Sequence, residues 1–394
     1  MPSLVPHFRS KEPVSPLPDV RSLQELLLPV DTLLRSDVSL ALVRYPGCEP
    51  YVCMQRDGRD TLCQRLSGLF GTGFVLCPFA EGEGHPVVLV RADVTACGWE
   101  DIGRLLQKMV RELHLSHATL PQSMSVPTFA DLKARLFESR PDSGYEGALS
   151  VFLHDLQEGR FDKLVLSRAQ NFPGAHSAAR IFARACHAYP NALVTLSHTR
   201  SGTWIGASPE ILLQGEKDQW TTMALAGTRP RGSATPWDEK NRREQAWVAR
   251  YIRDSLAPLC ARIREEGPFT AEAGQVEHLR TDFFLEKAQG VSFRDLALAL
   301  HPTPAVCGLP KKEAMERILS TESLDRRYYS GFIGLMQEDA ASFYVNLRCL
   351  KLHAGGVRLY AGGGILAQSK LESEWKETCH KMCTMLALIG RDEA

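Results

Sequence analysis

Short apolar runs separated by turn residues dominate the chain from Phe161 onward. "KLVLSRAQNF" predicts a strand and "SAARIFARACHAY" a helix, because the apolar positions change from a continuous run to a spacing of three and four. "ALVTLSH", "TRSG" and "TWIGAS" then read as strand, turn and strand, and "EILLQ", "GEKD" and "QWTTMALAG" repeat the arrangement. A third hairpin follows in "SFYVNLRCLKL", "HAGG" and "VRLYAGG". Hairpins closed by short turns imply antiparallel sheet. Helices inserted between them imply an α+β layered domain rather than a doubly wound one.

The first part of the chain is less regular. Residues 1–20 are Pro-rich and expected to be loosely held. Residues 21–130 mix short strands and helices, and "RADVTACGWEDIGRLLQKMVRELHL" ends in an amphipathic helix. "SHATLPQSMSVPTF" reads as a connector.

Composition narrows the function. With 46 basic against 46 acidic residues in 394, the chain carries no net field to attract nucleic acid or an anionic membrane. A small-molecule partner fits that balance better. No apolar run of spanning length or signal-peptide h-region is present. The 11 cysteines fall mostly within apolar runs, which suggests free thiols and a cytoplasmic setting. Cys379, His380 and Cys383 lack a second ligand pair at zinc spacing.

Charged residues in two helical patterns then attract attention. In "WDEKNRREQAWVARYIRDSL", Trp247, Val248, Tyr251 and Ile252 form an apolar arc with Glu244 in its middle. A carboxylate there needs a cation or donors, and a structural ion pair is the plain reading. In "LESEWKETCHKMC", Trp375, Cys379 and Met382 begin an apolar stripe, while Glu374, Glu377 and Lys381 cluster on another face. Ser369 and Glu372 suggest a capping box. The acidic face alone reads as solvated surface; joined with Glu244 it suits a hard cation such as magnesium.

Along residues 343–350 a strand would point Tyr344, Asn346 and Arg348 one way. Arg348 and Tyr360 would then line a polar cavity beside "AGGG", where an arginine fork can hold a carboxylate and the glycines allow close backbone approach. Surface arginine is the plain alternative. Lys163 opens an apolar strand, and Glu210 follows "GASP" at a strand break. A lysine made neutral by burial and a carboxyl kept protonated form a usable base and acid. Periodicity cannot by itself assign those roles.

"KLVLSR", "GASPEILL", "ALAGTRPRG", "KNRREQAWV", "VEHLRTDF", "LHPTPAVCGLPKKEA", "YYSGFIG", "FYVNLR" and "LYAGGGILAQSKLESEWKET", in this order, resemble the chorismate-utilising enzyme family. The resemblance covers residues 140–390, the catalytic core. It implies one large chorismate-binding domain, like anthranilate synthase component I, with antiparallel sheets around a central cleft. It further implies Lys163 as general base, Glu210 as general acid, and Glu244 and Glu377 as magnesium ligands with Glu374 in support. Arg348, Tyr360 and Lys381 are then carboxylate binders, with Gly362, Gly363 and Gly364 as a backbone wall. Thr228 and His278 lie near the substrate ring.

"HPTPAVCG" most resembles isochorismate synthases, with Ala305 where ammonia-using relatives tend to carry a hydroxyl. The implied reaction is magnesium-dependent conversion of chorismate to isochorismate, with no obligatory amidotransferase subunit, and menaquinone is preferred over a siderophore as the destination. Salicylate synthase, anthranilate or aminodeoxychorismate synthase component I, and an inactive chorismate-binding module are the rivals. Two positions depart from the family: its E-H is Glu244-Gln245 here, and its "AGAG" is "AGGG".

Overall fold

Asp19 starts the first helix, its carboxylate accepting from the backbone N–H groups of Arg21 and Ser22 at 3.0 and 3.1 Å. The structure is a computed structural model. It describes residues 16–82, 84–116, 127–233, 235–273 and 276–390, without the side chains of Thr228, Pro230, Lys240, Ala273 and Val276. Most of the Pro-rich start and of the expected connector lies outside the described residues.

Helices α1 (Val20–Leu27) and α2 (Pro29–Leu33) lead into β1 (Ser39–Arg44), β2 (Tyr51–Gln55) and β3 (Thr61–Cys63). Next come β4 (Gly73–Cys77), β5 (Val87–Arg91) and β6 (Val94–Cys97), then α3 (Trp99–Glu112), α4 (Phe129–Glu138) and α5 (Ser143–Gln157). The chain continues as β7 (Lys163–Pro173), α6 (Ala178–Ala188), β8 (Leu193–Thr199), β9 (Gly202–Ser208), β10 (Ile211–Glu216) and β11 (Gln219–Pro230). It proceeds through α7 (Glu239–Leu256), β12 (Cys260–Ala273), β13 (Val276–Lys287), α8 (Phe293–Leu300), β14 (Gly308–Leu309) and α9 (Lys311–Thr321). β15 (Phe332–Met336), β16 (Ala340–Val345), β17 (Cys349–His353), β18 (Gly356–Ile365) and α10 (Leu371–Ile389) complete it.

Among the described residues the strands form two nine-stranded sheets, ordered β14-β7-β18-β17-β9-β8-β1-β2-β6 and β12-β13-β11-β10-β16-β15-β4-β5-β3. Antiparallel pairing joins neighbours, as the hairpins predicted. Strands from residues 39–97 enter both sheets, so the first quarter of the chain completes the same domain.

The sheets face each other across an aromatic layer that includes Phe74, Trp204, Tyr328, Tyr329, Tyr344 and Tyr360. Helices α1–α6 and α10 cover the outer face of the first sheet, and α7 and α8 that of the second. Covering both faces removes the usual alternation: β1, β4, β15 and β16 are buried at every position.

Two of the connections that pass from one sheet to the other, β9–β10 and β16–β17, lie side by side. β9 and β17 pair in the first sheet, while β10 and β16, their chain neighbours, pair in the second. The single strand expected over 343–350 is therefore two strands, broken at Asn346–Arg348. Each strand must switch partners there, and it can do so only by leaving the ladder. The crossings are fastened together: Val345 N–H donates to Glu210 O at 2.9 Å, and Ala207 N–H to Arg348 O at 2.8 Å. Thus "SPE" and "NLR" meet at one seam.

A second expectation fails at α10. Lys370 is its N-cap and supplies no side-chain cap. Ser369 instead turns its hydroxyl to Glu374 Oε1, at 2.5 Å, and accepts from Leu366 N–H at 3.1 Å. The hydroxyl satisfies a carboxylate rather than the helix end.

Candidate active site

Alternation along β7 divides its side chains. Leu164 and Leu166 join the helix-covered core, and Arg168 stacks on Trp375 of α10 at 3.6 Å. Lys163, at the strand's start, is buried and faces the other way. Its Nζ donates to Glu244 Oε1 at 2.8 Å. The carboxylate on the apolar arc of α7 thus has the cation it needed, on a different element and 81 residues distant in sequence.

Glu210 lies at the sheet seam, 6% exposed. Burial raises its carboxyl from 4.5 to about 7, opposed by the charges of Arg348 and Lys163. A carboxyl that stays protonated near neutrality can donate a proton. The sheet crossings explain why Arg348 is near it: the two residues occupy adjacent breaks whose backbones bond to each other.

β18 pairs with β7 through its glycines, Gly364 opposite Val165 and Gly362 opposite Ser167. A Cβ on Gly364 would lie 2.6 Å from Lys163 Cε, so this glycine makes room for the lysine. A Cβ on Gly362 would lie 2.7 Å from Ser167 Oγ and 3.0 Å from the Tyr329 hydroxyl. None of the three glycines has a positive φ, so the requirement is space rather than backbone freedom.

Gly363 opens to the α10 side, where a Cβ would be 3.3 Å from Glu374 Oε2 and 3.9 Å from Glu377 Oε1. Two carboxylates therefore face one cleared position, a donor set that fits a hard divalent cation. Glu377 also pairs with Lys381 Nζ at 2.5 Å, and that amine donates to Gly362 O at 2.9 Å. Burial lowers the Lys381 amine's pKa below its ordinary value; Glu377 opposes this, while Arg348 and Lys163 add to it. Glu244 remains with Lys163, and among the described residues no group of three or more His, Cys, Asp or Glu side chains is placed to hold a metal.

His278 Nδ1–H donates to Gly227 O at 2.8 Å. Burial lowers the imidazole's pKa, as do the charges of Arg348 and Lys381, while Glu244 opposes. Gly227 and Thr228 fall at a register shift between β11 and β13; the Thr228 side chain lies outside the described residues. Ala305 sits in a tight turn closed by Val306 N–H to Thr303 O, beside the β14–β7 pairing that holds Lys163.

Tyr360 goes elsewhere than expected. It stacks between Trp204 and Tyr329, at 5.3 and 5.5 Å between centroids, within the inter-sheet layer. The strand expected through Arg348 is broken by the crossing, whereas Tyr360 lies on the unbroken β18. Tyr329 was overlooked: its hydroxyl, not that of Tyr360, approaches the glycine wall. Its position just before "SG" in a quoted motif was the available signal. A recess of about 260 Å³ between Gln219, Arg262, Arg264 and Glu286 lies on the β12–β13 hairpin and includes none of these groups.

A family model described as chorismate binding enzyme matches residues 85–390. The isochorismate synthase DhbC of Bacillus subtilis is 32% identical over 270 residues, 63% of this chain and 68% of that protein. MenF of Escherichia coli K12 is 28% identical over 341 residues, 79% of this chain and 76% of that protein. EntC of the same strain is matched over about half its length, 31% identical across 201 residues, or 48% of this chain and 51% of that protein. The solved structure of the menaquinone-specific isochorismate synthase MenF from Escherichia coli superposes with a TM-score of 0.72 at 23% identity, covering 91% of each chain.

Proposed function

The chain belongs to the chorismate binding enzyme family, and from that premise we propose that it is an isochorismate synthase, exchanging the C4 hydroxyl of chorismate for a new one at C2. The observation that carries this reading is the buried Glu210, with its carboxyl at about 7, within the electrostatic reach of Lys163. An acid poised near neutrality and an amine on a separate element are what a proton-in, proton-out exchange requires.

In the proposed reaction Lys163 takes a proton from water as the oxygen bonds to C2. The ring double bonds shift, the C4–oxygen bond breaks, and Glu210 gives its proton to the departing hydroxyl, which leaves as water. Arg348 and Lys381 bind substrate carboxylate, and Gly362–Gly364 let the ring approach bare backbone. Glu374 and Glu377, with Glu244 from α7, would hold magnesium, which when bound supplies a divalent anchor for the ring carboxylate. Lys163 and Lys381 are already paired with Glu244 and Glu377. A dianionic substrate and a divalent cation together preserve that balance. No ammonia donor or amidotransferase enters the scheme.

Turnover in ¹⁸O-water tests the chemistry: one labelled oxygen should appear at C2 of the product, and unlabelled product would overturn water attack. For the destination of the product we propose menaquinone, supported by the match to MenF being the longest of those above. A deletion strain that keeps its menaquinone would overturn it.

A further inference from the structure

The β14–β7 ladder ends where the turn carrying Ala305 peels away from the strand carrying Lys163. Its last rung is Val165 N–H to Cys307 O at 2.8 Å. Beyond it, the next groups on that edge of β7 are Val165 C=O and Ser167 N–H, and the departing turn presents Val306 C=O. Two carbonyls cannot pair with each other, and unpaired buried backbone groups are costly.

One buried ion pair satisfies all three. Arg326 Nη2 donates to Val165 O and Nη1 to Val306 O, both at 2.8 Å. Its Nε donates to Glu322 Oε2 and Nη2 also to Glu322 Oε1, at 2.5 and 3.1 Å. Glu322 Oε1 in turn accepts from Ser167 N–H at 2.5 Å. The guanidinium lies over the Phe79 ring at 4.2 Å, and both charged side chains are under 5% exposed.

We propose that Arg326 is a positioning residue: with Glu322 it continues the sheet edge past β14 and fixes the Ala305 turn against the Lys163 strand, setting the distance between the base and the wall facing the attacked ring. This deepens the isochorismate synthase reading and rests on it. A lysine keeps the charge but has three donors and no planar fork, so it cannot hold two carbonyls and both carboxylate oxygens together. Misplacement by about 1 Å costs on the order of 100-fold in rate.

The test is steady-state kinetics of Arg326→Lys and Phe79→Leu with chorismate and magnesium, beside far-UV circular dichroism and thermal melts. Arg326→Lys should lower kcat by about 10- to 100-fold with KM within about threefold, because substrate anchoring is untouched and only the reacting geometry shifts. Phe79→Leu removes the plate beneath the guanidinium and should lower kcat by about three- to tenfold while staying folded. If Arg326→Lys fails to fold, Phe79→Leu decides. Wild-type kcat in every variant that folds overturns the positioning role, as does a loss expressed wholly in KM. A wild type that does not convert chorismate overturns the enzymatic reading, and the positioning role with it, which distinguishes that failure from the first.

Discussion

Glu210→Gln separates the chemical role of this residue from its cost to the fold. Glutamine keeps the shape and removes both the proton to be donated and the charge to be buried. Below about pH 7 turnover should fall by about 10² to 10⁴, the usual worth of a positioned proton transfer, and the gap should narrow above it. Wild-type turnover should itself decline as pH rises through about 7, where Glu210 loses its proton. Wild-type stability falls over the same rise. A carboxyl whose pKa is raised in the fold favours the folded state below its ordinary 4.5 and loses that advantage as pH rises through about 7. The accumulated loss is about 1 kcal/mol at pH 5 and about 3 kcal/mol at pH 8, taking 1.36 kcal/mol per pKa unit. Glutamine escapes it, so the variant should gain on wild type between those pH values in urea unfolding. A variant retaining turnover within tenfold of wild type below about pH 7, or gaining no stability from pH 5 to pH 8, would refute the reasoning.

Lys163→Ala should lose about 10² to 10⁴ in kcat and also lower the thermal melt, because Glu244 loses its partner; near-normal turnover would mean another group activates water. Chelator should abolish activity and magnesium restore it, and in magnesium titrations Glu244→Gln and Glu377→Gln should each need more metal for half-maximal rate. Unchanged titrations in both would contradict the ligand assignment. The neighbouring glycines should part company: Gly364→Ala puts a Cβ 2.6 Å from Lys163 Cε and should lower kcat, whereas Gly363→Ala crowds Glu374 and Glu377 and should raise the magnesium requirement. The same shift in both variants would show that the two faces of β18 do not serve separate groups.

The hairpins β8–β9, β10–β11 and β17–β18 and the helices α3, α6, α7 and α10 were legible because turn residues or a stripe of apolar positions mark each one. The expectation for Glu244 also came from periodicity, since an acid on an apolar arc demands a cation. Which cation answered could not be read, because Lys163 reaches it only through tertiary folding. The break at Asn346–Arg348 was hidden: strands switching sheets leave no composition signal when both layers are buried, and "FYVNLRCL" alternates as smoothly as one strand. Ser369 misled because a hydroxyl followed by an acid at the start of a helix fits a capping box equally well, and only the neighbouring Glu374 decides otherwise. The edge-capping pair Glu322–Arg326 reads in sequence as an ordinary helix-spaced ion pair.

The most direct test of the central claim is to incubate the purified protein with chorismate and magnesium, without ammonium or any second protein, and resolve the products by chromatography. Isochorismate approaching a fixed ratio with chorismate, from either direction, is the predicted result. Salicylate with pyruvate as the main products, an aminated product once ammonium is supplied, or recovery of chorismate unchanged would contradict it.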